Sequence, residues 1–214
     1  MIKIEHIETY GWEAAIRGAR NPLNSWGKSD SKAYAYWNGD EWDYSVGEQD
    51  LKLMKNLVAA GPDHGKFMRM IGISMDITAP LYWWKEYDTY KVGTVANSCS
   101  TMHKIAAKEF TLDDFSREHL TGDALEAMIA VIDQLNFSRI AYLETKDKTY
   151  WWEMIQLLPS SYNQRRTVTL NYAVARNQYH ARKAHKLTEW WDYCKALEGL
   201  PYAELITMEG RQHD

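Results

Sequence analysis

The chain has 214 residues, of which 45% are hydrophobic, and this is enough apolar material for one buried core. Its formal net charge of −4 at pH 7 gives no overall attraction for nucleic acid. The apolar runs are too short to cross a membrane, and the N-terminal segment has no secretory pattern, so we expect a single cytoplasmic domain over residues 1–214.

The first predicted elements are a strand, a loop and a helix. Residues 2–8 alternate between apolar and polar side chains, which predicts a strand. Residues 18–45 are rich in Gly, Asn, Ser and Asp, and they predict a long loop with hairpin-like turns at Asn38-Gly39. A helix is predicted after Ser45, which has capping-box spacing to Glu48, and a Gly-Pro pair ends it.

The remaining elements predict an α+β domain. The clearest strand carries four apolar residues that alternate with small or polar ones, namely Ile71, Ile73, Met75 and Ile77. Residues 166–170 alternate as well and could pair with it. Helices are predicted behind an acidic cap at Asp123, over about residues 148–158, and finally as one long helix that aligns Arg182, His185 and Glu189 on one face. Separated strands with helices between them are typical of the α+β class.

Residues 79–103 join large aromatic side chains to small hydroxyl and amide groups. Trp83 and Trp84 come first, in a part that predicts a short helix, and Asn97, Ser98 and Ser100 follow after a turn. The combination suits a flat ligand with polar edges, because the rings stack on it and the donors fix its orientation. The alternative is that the two tryptophans belong to a buried helix and that the serines belong to an ordinary loop.

Motifs of common catalytic sites are not found in the sequence. The patterns GxGxxG, GxxxxGK[ST], HExxH and GxSxG are all missing, which argues against nucleotide-phosphate loops, zinc proteases and α/β-hydrolases. Cys99 and Cys194 form no CxxC pair, and His180 and His185 point roughly 140° apart on a helix. We therefore predict neither a disulfide framework nor a metal site.

Several separated segments together resemble the flavin-dependent thymidylate synthases. That family carries a GHxSPxEH-like segment, a strand, Ala-Pro, the run QxxRHRxxSxNExSxRY, a later Leu-Pro, the run NxRSLx[NH]xxxLR, and a helix with HAQxE. The matching stretches here are Asp63-His64-Gly65-Lys66, Ala79-Pro80, residues 86–91 and 97–103, Leu158-Pro159, residues 171–177, Arg182, His185 and Glu189. Their order and spacing fit the family over about residues 64–190.

The resemblance implies a twisted, mainly antiparallel sheet flanked by helices, and an FAD at a homotetramer interface beside a pyrimidine nucleotide. It implies reductive methylation of dUMP or a related nucleotide, with methylene-tetrahydrofolate as carbon donor and NADPH as reductant. The residues carried over to the flavin are His64, Lys91, Asn171 and Asn177, and those carried over to the nucleotide are Ser98, Ser100 and Arg182. No catalytic residue is assigned, because this route needs no protein nucleophile.

The sequence also departs from the family at charged positions. Thr89, Tyr90, Met102, Ala173 and Ile155 stand where the family has arginine or histidine, and the candidates to replace the lost charge are Lys85, Arg165, Arg166 and Arg176. The enzyme is therefore weighed against a non-catalytic flavin- or nucleotide-binding relative, and against a structural oligomer that uses its Trp and Tyr surface.

Structural alternatives stay open for the site residues as well. His64 could be a simple loop residue, and Asn171 and Asn177 could cap a helix. Arg182, with His185 and Glu189, could form a solvated face. The ten Trp and fourteen Tyr residues predict a homo-oligomer, because they exceed what one core of this size should hide.

Overall fold

A computed structural model describes residues 2–35 and 42–210 of the chain. The strands are β1 (Lys3–Tyr10), β2 (Lys32–Ala35), β3 (Trp42–Ser45), β4 (Gly72–Pro80), β5 (Val95–Ser98) and β6 (Asn163–Asn171). The helices are α1 (Trp12–Arg20), α2 (Glu48–Ala59), α3 (Leu81–Tyr87), α4 (Thr101–Lys104), α5 (Asp123–Thr145), α6 (Lys148–Leu157), α7 (Tyr172–Arg182), α8 (Glu189–Glu198) and α9 (Glu204–Thr207). The predicted α+β class is confirmed.

Two sheets are present among the described residues, a four-stranded sheet of order β1-β4-β6-β5 and the hairpin β2-β3. In the hairpin, Lys32 lies opposite Ser45 and the strands are antiparallel. The turn predicted at Asn38-Gly39 lies outside the described residues.

Strands β4 and β6 are neighbours in the sheet, as predicted, and they run antiparallel. At one end the backbone N–H of Tyr172 donates to the carbonyl of Ile71, and the hydroxyls of Ser74 and Thr169 share a hydrogen bond of 3.0 Å. The apolar face of β4 is completely buried, with exposed fractions of 0–1% at Ile71, Ile73, Met75 and Ile77. The period-2 pattern therefore identified both the strand and its core face.

The chain divides into two compact units. The α5 unit comprises Met1–Glu5, Asp76–Thr89 and Ala96–Thr167, and the α7 unit comprises His6–Met75, Tyr90–Val95 and Val168–Asp214. The expectation of a single domain over residues 1–214 stays a prediction. None of the described helices is long and apolar enough to cross a membrane.

The α5 unit packs α5 and α6 against the loop between α4 and α5. Its core includes Ile105, Phe110, Phe115, Ile132, Leu135 and Met154. Trp83 and Trp84 of α3 are 0% exposed, and the Trp84 indole N–H donates to the carbonyl of Gln164 over 2.9 Å. The two tryptophans are therefore core residues, which confirms the alternative that they belong to a buried helix and leaves neither ring open for a ligand to stack on.

The α7 unit packs α1, α2, α7, α8 and α9 together. The ring centres of Trp12 and Tyr172 lie 5.1 Å apart with the rings nearly perpendicular. Trp190 and Tyr193 of α8 are fully buried, and the Tyr193 hydroxyl donates to the Gln178 side chain over 2.6 Å. These contacts give α7 one face that is covered by protein, with Tyr172 and Gln178 on it.

Helix α2 begins in a different way from the prediction. The Ser45 cap is wrong, because Ser45 lies in β3 and Gly47 precedes the helix. The carboxylate of Asp30 accepts from the backbone N–H groups of Gln49 and Asp50, over 2.9 and 3.1 Å. A side chain from the preceding loop therefore supplies the cap. The acidic cap of α5 is also wrong, since Gly122 precedes α5 and no side chain caps it.

Candidate functional site

Helix α7 carries the polar face of the candidate site. The helix begins where the Asn171 side-chain oxygen accepts from the backbone N–H of Val174 over 3.1 Å. One face of the helix bears residues at spacing i, i+3, i+4 and i+7, which are Ala173, Arg176, Asn177 and His180, and all four line a cavity of about 550 Å³. We call it the α7 cavity.

The other walls of the α7 cavity are mainly apolar. They come from α2, the turn after it and the C-terminal segment, and they comprise Val58, Ala59, Gly61, Pro62, Gly65, Met68, Arg69 and Gly210. His64 lies in the same turn between lining residues, but its exposed side chain does not line the cavity. Of the four residues assigned to the flavin, Asn177 therefore lines the α7 cavity and His64 lies beside it.

Arg176 is held by the C-terminal segment. One of its terminal nitrogens donates to the carbonyls of Leu205, Ile206 and Met208 over 3.3, 3.1 and 2.5 Å. Burial lowers the pKa of the Arg176 guanidinium below its ordinary value. Arg176 was predicted to bind an anion in place of a lost family arginine. Three backbone carbonyls now compete with any anion for its guanidinium.

His180 lies at the end of the same helix face. Burial lowers its pKa, and the nearby Arg176 guanidinium lowers it further. Its Nδ1 lies 3.7 Å from the Glu209 carboxylate, which also accepts from Lys183 over 2.6 Å. The Nε2 atom of His180 is buried and has no hydrogen-bond partner among the described residues.

The segment that carries Lys91 packs along α7. Gly93 has φ +77°, and a Cβ there would lie 3.1 Å from the Val174 side chain and 3.2 Å from the Asn171 amide nitrogen. At the other end of the helix, Arg182 Nε donates to the Tyr90 hydroxyl over 2.9 Å. The fold therefore brings the segment with Lys91 next to Asn171 and next to Arg182, while the Lys91 side chain is exposed.

Arg182 is enclosed by aromatic rings. Its guanidinium carbon lies 5.5 Å from the ring centre of Tyr90 and 4.8 Å from that of Trp190. The predicted long helix ends here, because α7 stops at Arg182 and α8 starts at Glu189. His185 lies in the break, where its Nδ1 accepts from the backbone N–H of Leu187 over 3.2 Å. The prediction that Arg182, His185 and Glu189 share one helix face is wrong.

The two serines assigned to the nucleotide lie in the α5 unit. Ser98 is an exposed residue at the end of β5, and Ser100 caps α4 by accepting from the backbone N–H of His103 over 3.0 Å. Ser100 also lines a cavity of about 310 Å³ together with Lys104 and Tyr162. Burial raises the pKa of Tyr162, so this phenol stays protonated at neutral pH.

Two more of the predicted substitute cations are paired. Arg165 donates to Asp76 over 2.6 Å, and Arg166 donates to Asp88 over 2.8 Å while its guanidinium lies 4.2 Å from the centre of the Trp84 ring. No group of three or more His, Cys, Asp and Glu side chains within residues 2–35 and 42–210 could hold a metal ion.

Sequence reasoning missed the polar residues that surround Asn177 and Ser100. Arg69 and His180 line the α7 cavity, and Lys104 lines the cavity that contains Ser100. The helical spacing of Ala173, Arg176, Asn177 and His180 was the available signal, because it places one predicted ligand residue on the same face as an unassigned histidine. Lys104 had no comparable signal in the sequence.

No family model and no curated protein matches the sequence. Among solved structures, the chain is similar to the flavin-dependent thymidylate synthase ThyX of Helicobacter pylori complexed with FAD and dUMP, with a TM-score of 0.68 and 16% identity over 96% of this chain and 97% of that chain. A second structure of Helicobacter pylori ThyX with FAD and dUMP gives a TM-score of 0.67 and 15% identity over 96% of each chain. The likeness establishes a ThyX-like fold over nearly the whole chain, as predicted.

Proposed function

We propose that the chain binds FAD in the α7 cavity and acts as a flavin-dependent thymidylate synthase-like enzyme. Its reaction is the reductive methylation of dUMP or a related pyrimidine nucleotide in the cytoplasm, with methylene-tetrahydrofolate and NADPH. The observation that carries the proposal is that Asn177, assigned to the flavin by sequence motif alone, lines a cavity of about 550 Å³ in this fold. His64, Lys91 and Asn171 are the other proposed flavin residues.

The lining of the α7 cavity fits the ring of a flavin. Val58, Pro62 and Met68 offer apolar surface to a flat ring, and the Asn177 amide can both donate to and accept from a polar ring edge. Arg69 is an exposed cation at the wall of the cavity and could contact an anionic part of the ligand. Arg176 already donates to backbone carbonyls. The fit is therefore better for the ring than for a diphosphate.

The contribution of the protein is binding and orientation. Bound FAD, once reduced by NADPH, would supply the hydride for the methylation. The apolar walls would cover one side of the ring, and Asn177 would fix its orientation through the amide group. Ser98, Ser100 and Arg182 are the proposed nucleotide residues, and Lys104 in the cavity of Ser100 supplies a positive charge for a phosphate.

A second candidate function is a non-catalytic flavin- or nucleotide-binding protein. Three observations favour it: Ala173 brings no charge into the α7 cavity, Arg176 donates to carbonyls, and Arg182 stacks between Tyr90 and Trp190. Charge-assisted hydrogen bonds are the strong contacts of phosphate sites. Their loss weakens the binding of the phosphate groups, which turnover needs, more than it weakens the binding of the flavin ring.

The proposed assembly is a homotetramer. Helix α5 exposes four large apolar side chains, Ile129, Phe137, Ile140 and Leu143, with exposed fractions of 39–60%. Contact with another copy would remove such a surface from water. Light scattering on the purified protein measures the mass, and a 25.0 kDa monomer at micromolar concentration would rule out a site shared between subunits.

The test of the proposed function is a flavin titration followed by a turnover assay. FAD is titrated with wild type, Asn177→Ala or Asn56→Ala, and its fluorescence is followed. Asn56 is the control, because it is an exposed asparagine on α2 outside the α7 cavity. We expect wild type and Asn56→Ala to bind alike, and Asn177→Ala to bind several-fold more weakly, because a hydrogen bond is worth about 0.5–1.5 kcal/mol.

The same samples are then incubated with NADPH, methylene-tetrahydrofolate and dUMP, and the product mass is measured. Formation of dTMP supports the enzyme, and flavin binding without turnover supports the second candidate. Equal FAD affinity for wild type and Asn177→Ala would contradict the α7 cavity as the flavin site.

A further inference from the structure

We propose that a second cavity of the α7 unit, separate from the α7 cavity, binds a small organic phosphate monoester. This cavity of about 480 Å³ lies between helix α2 and the loop of residues 20–28. We call it the α2 hollow. It is lined by the polar residues Arg20, Asn24, Ser25, Lys28, Gln49, Lys52 and Asn56, and by Leu23 and Leu53 as apolar surface.

The loop wall of the α2 hollow is fixed by a buried ion pair. Arg20 and Asp50 are 5% and 0% exposed, and the Arg20 Nε donates to Asp50 over 2.5 Å. The two other guanidinium nitrogens of Arg20 donate to the carbonyls of Ser25 and Lys28, over 3.1 and 2.9 Å. The loop is thereby tied to α2, so both walls keep their positions before a ligand arrives.

The side chains that face the α2 hollow favour an anion. The amino groups of Lys28 and Lys52 have no hydrogen bond or ion pair among the described residues, and neither do the amides of Asn24, Gln49 and Asn56. Within the part of the chain that the structure describes, no carboxylate lines the hollow. Two acids of the same region are engaged by protein groups, since Asp50 accepts from Arg20 and Asp30 accepts from the start of α2.

The ligand class follows from these groups. Two ammonium groups together match a phosphate dianion, and carboxamides can donate to its oxygens. Leu23, which is 80% exposed, and Leu53 present apolar surface beside the cations. Bare phosphate would leave that surface in water, whereas the organic part of a monoester would cover it.

The test uses calorimetric titration of the protein, saturated with FAD, with phenyl phosphate, inorganic phosphate and phenol. We expect phenyl phosphate to bind with a salt-dependent affinity, inorganic phosphate to bind at least several-fold more weakly, and phenol not to bind. Lys52→Ala and Lys28→Ala should each weaken phenyl phosphate binding about tenfold, as for a lost charge-assisted contact. Lys195→Ala, on the exposed surface of α8, should leave it unchanged.

Each other outcome overturns part or all of the proposal. Phenyl phosphate binding that is equal in wild type, Lys28→Ala and Lys52→Ala would locate the anion elsewhere, the proposed dUMP site included. Equal affinity for inorganic phosphate would remove the monoester assignment. No saturable binding by the folded wild-type protein, with thermal melting showing that all variants are folded, would show that the α2 hollow is only a solvated surface.

Discussion

Replacement of Ala173 by arginine tests whether lost charge limits flavin binding in the α7 cavity. Ala173 stands in the first turn of α7, where the resembled family has an arginine, and its half-buried side chain lines the cavity. The neighbouring Arg176 cannot compensate while it donates to the carbonyls of residues 205–208. Ala173→Arg would therefore add a second guanidinium to the wall of the cavity.

The expected gain can be worked from the contact that would form. A hydrogen bond to a charged group is worth about 1.5–3 kcal/mol, which corresponds to about a 10- to 150-fold lower Kd for FAD. Because the α7 cavity is open to water on one side, screening favours the lower end, about tenfold. We expect Ala173→Arg to bind FAD about tenfold more tightly than wild type.

The assay is a titration of FAD fluorescence at two salt concentrations. Ala173→Gln is the matched control, because it adds a polar side chain of similar reach without charge. A gain for Ala173→Arg that shrinks at high salt, with little change for Ala173→Gln, agrees with the proposal. Equal effects of both substitutions, or no effect of either, would refute the idea that lost charge limits flavin binding in the α7 cavity.

Three further predictions concern stability. Arg20→Met should lower the free energy of unfolding by about 3–5 kcal/mol in urea denaturation, because it leaves the buried Asp50 carboxylate without its cation. Ile73→Ala should cost about 2–5 kcal/mol in the same assay, since Ile73 is 0% exposed in β4, and a loss below 1 kcal/mol would mean that the core of β4 is looser than the structure indicates. Burial raises the pKa of Asp50, but hydrogen bonds from Ser29, Ser31 and Arg20 outweigh burial and hold that pKa below its ordinary value. Its stabilisation is therefore present above about pH 4 and lost as the pH falls further, so the urea midpoint of wild type should drop more steeply there than that of Asp50→Asn.

Local patterns determined much of the fold. The alternation of Ile71, Ile73, Met75 and Ile77 predicted β4, because a strand with one buried face must repeat every two residues. The helices α2, α3, α5 and α6 followed from helical spacing and from Gly and Pro breaks. The order of the family-like segments predicted the ThyX-like fold, since segment order and spacing reflect topology even when few residues are identical.

Predictions from local patterns were wrong where a group distant in sequence took the place of a neighbouring one. The cap of α2 comes from Asp30, in the loop before the β2-β3 hairpin, so the capping-box spacing of Ser45 and Glu48 had no structural role. The last helix was predicted as one because Arg182, His185 and Glu189 have helical spacing, but α7 ends at Arg182 and α8 begins at Glu189. Trp190, the second residue of α8, is fully buried.

The candidate site shows most clearly what only tertiary structure decides. The sequence by itself pointed to Asn177 and Arg182, but it could not show that one lines a cavity and the other stacks on aromatic rings. Arg182 meets Tyr90 across 92 residues of chain, and Arg176 meets Met208 across 32. Such partners are chosen by the folded path of the backbone. A residue's type and spacing therefore determine what it can bind, while the fold decides whether its charge is left for a ligand or used by the protein itself.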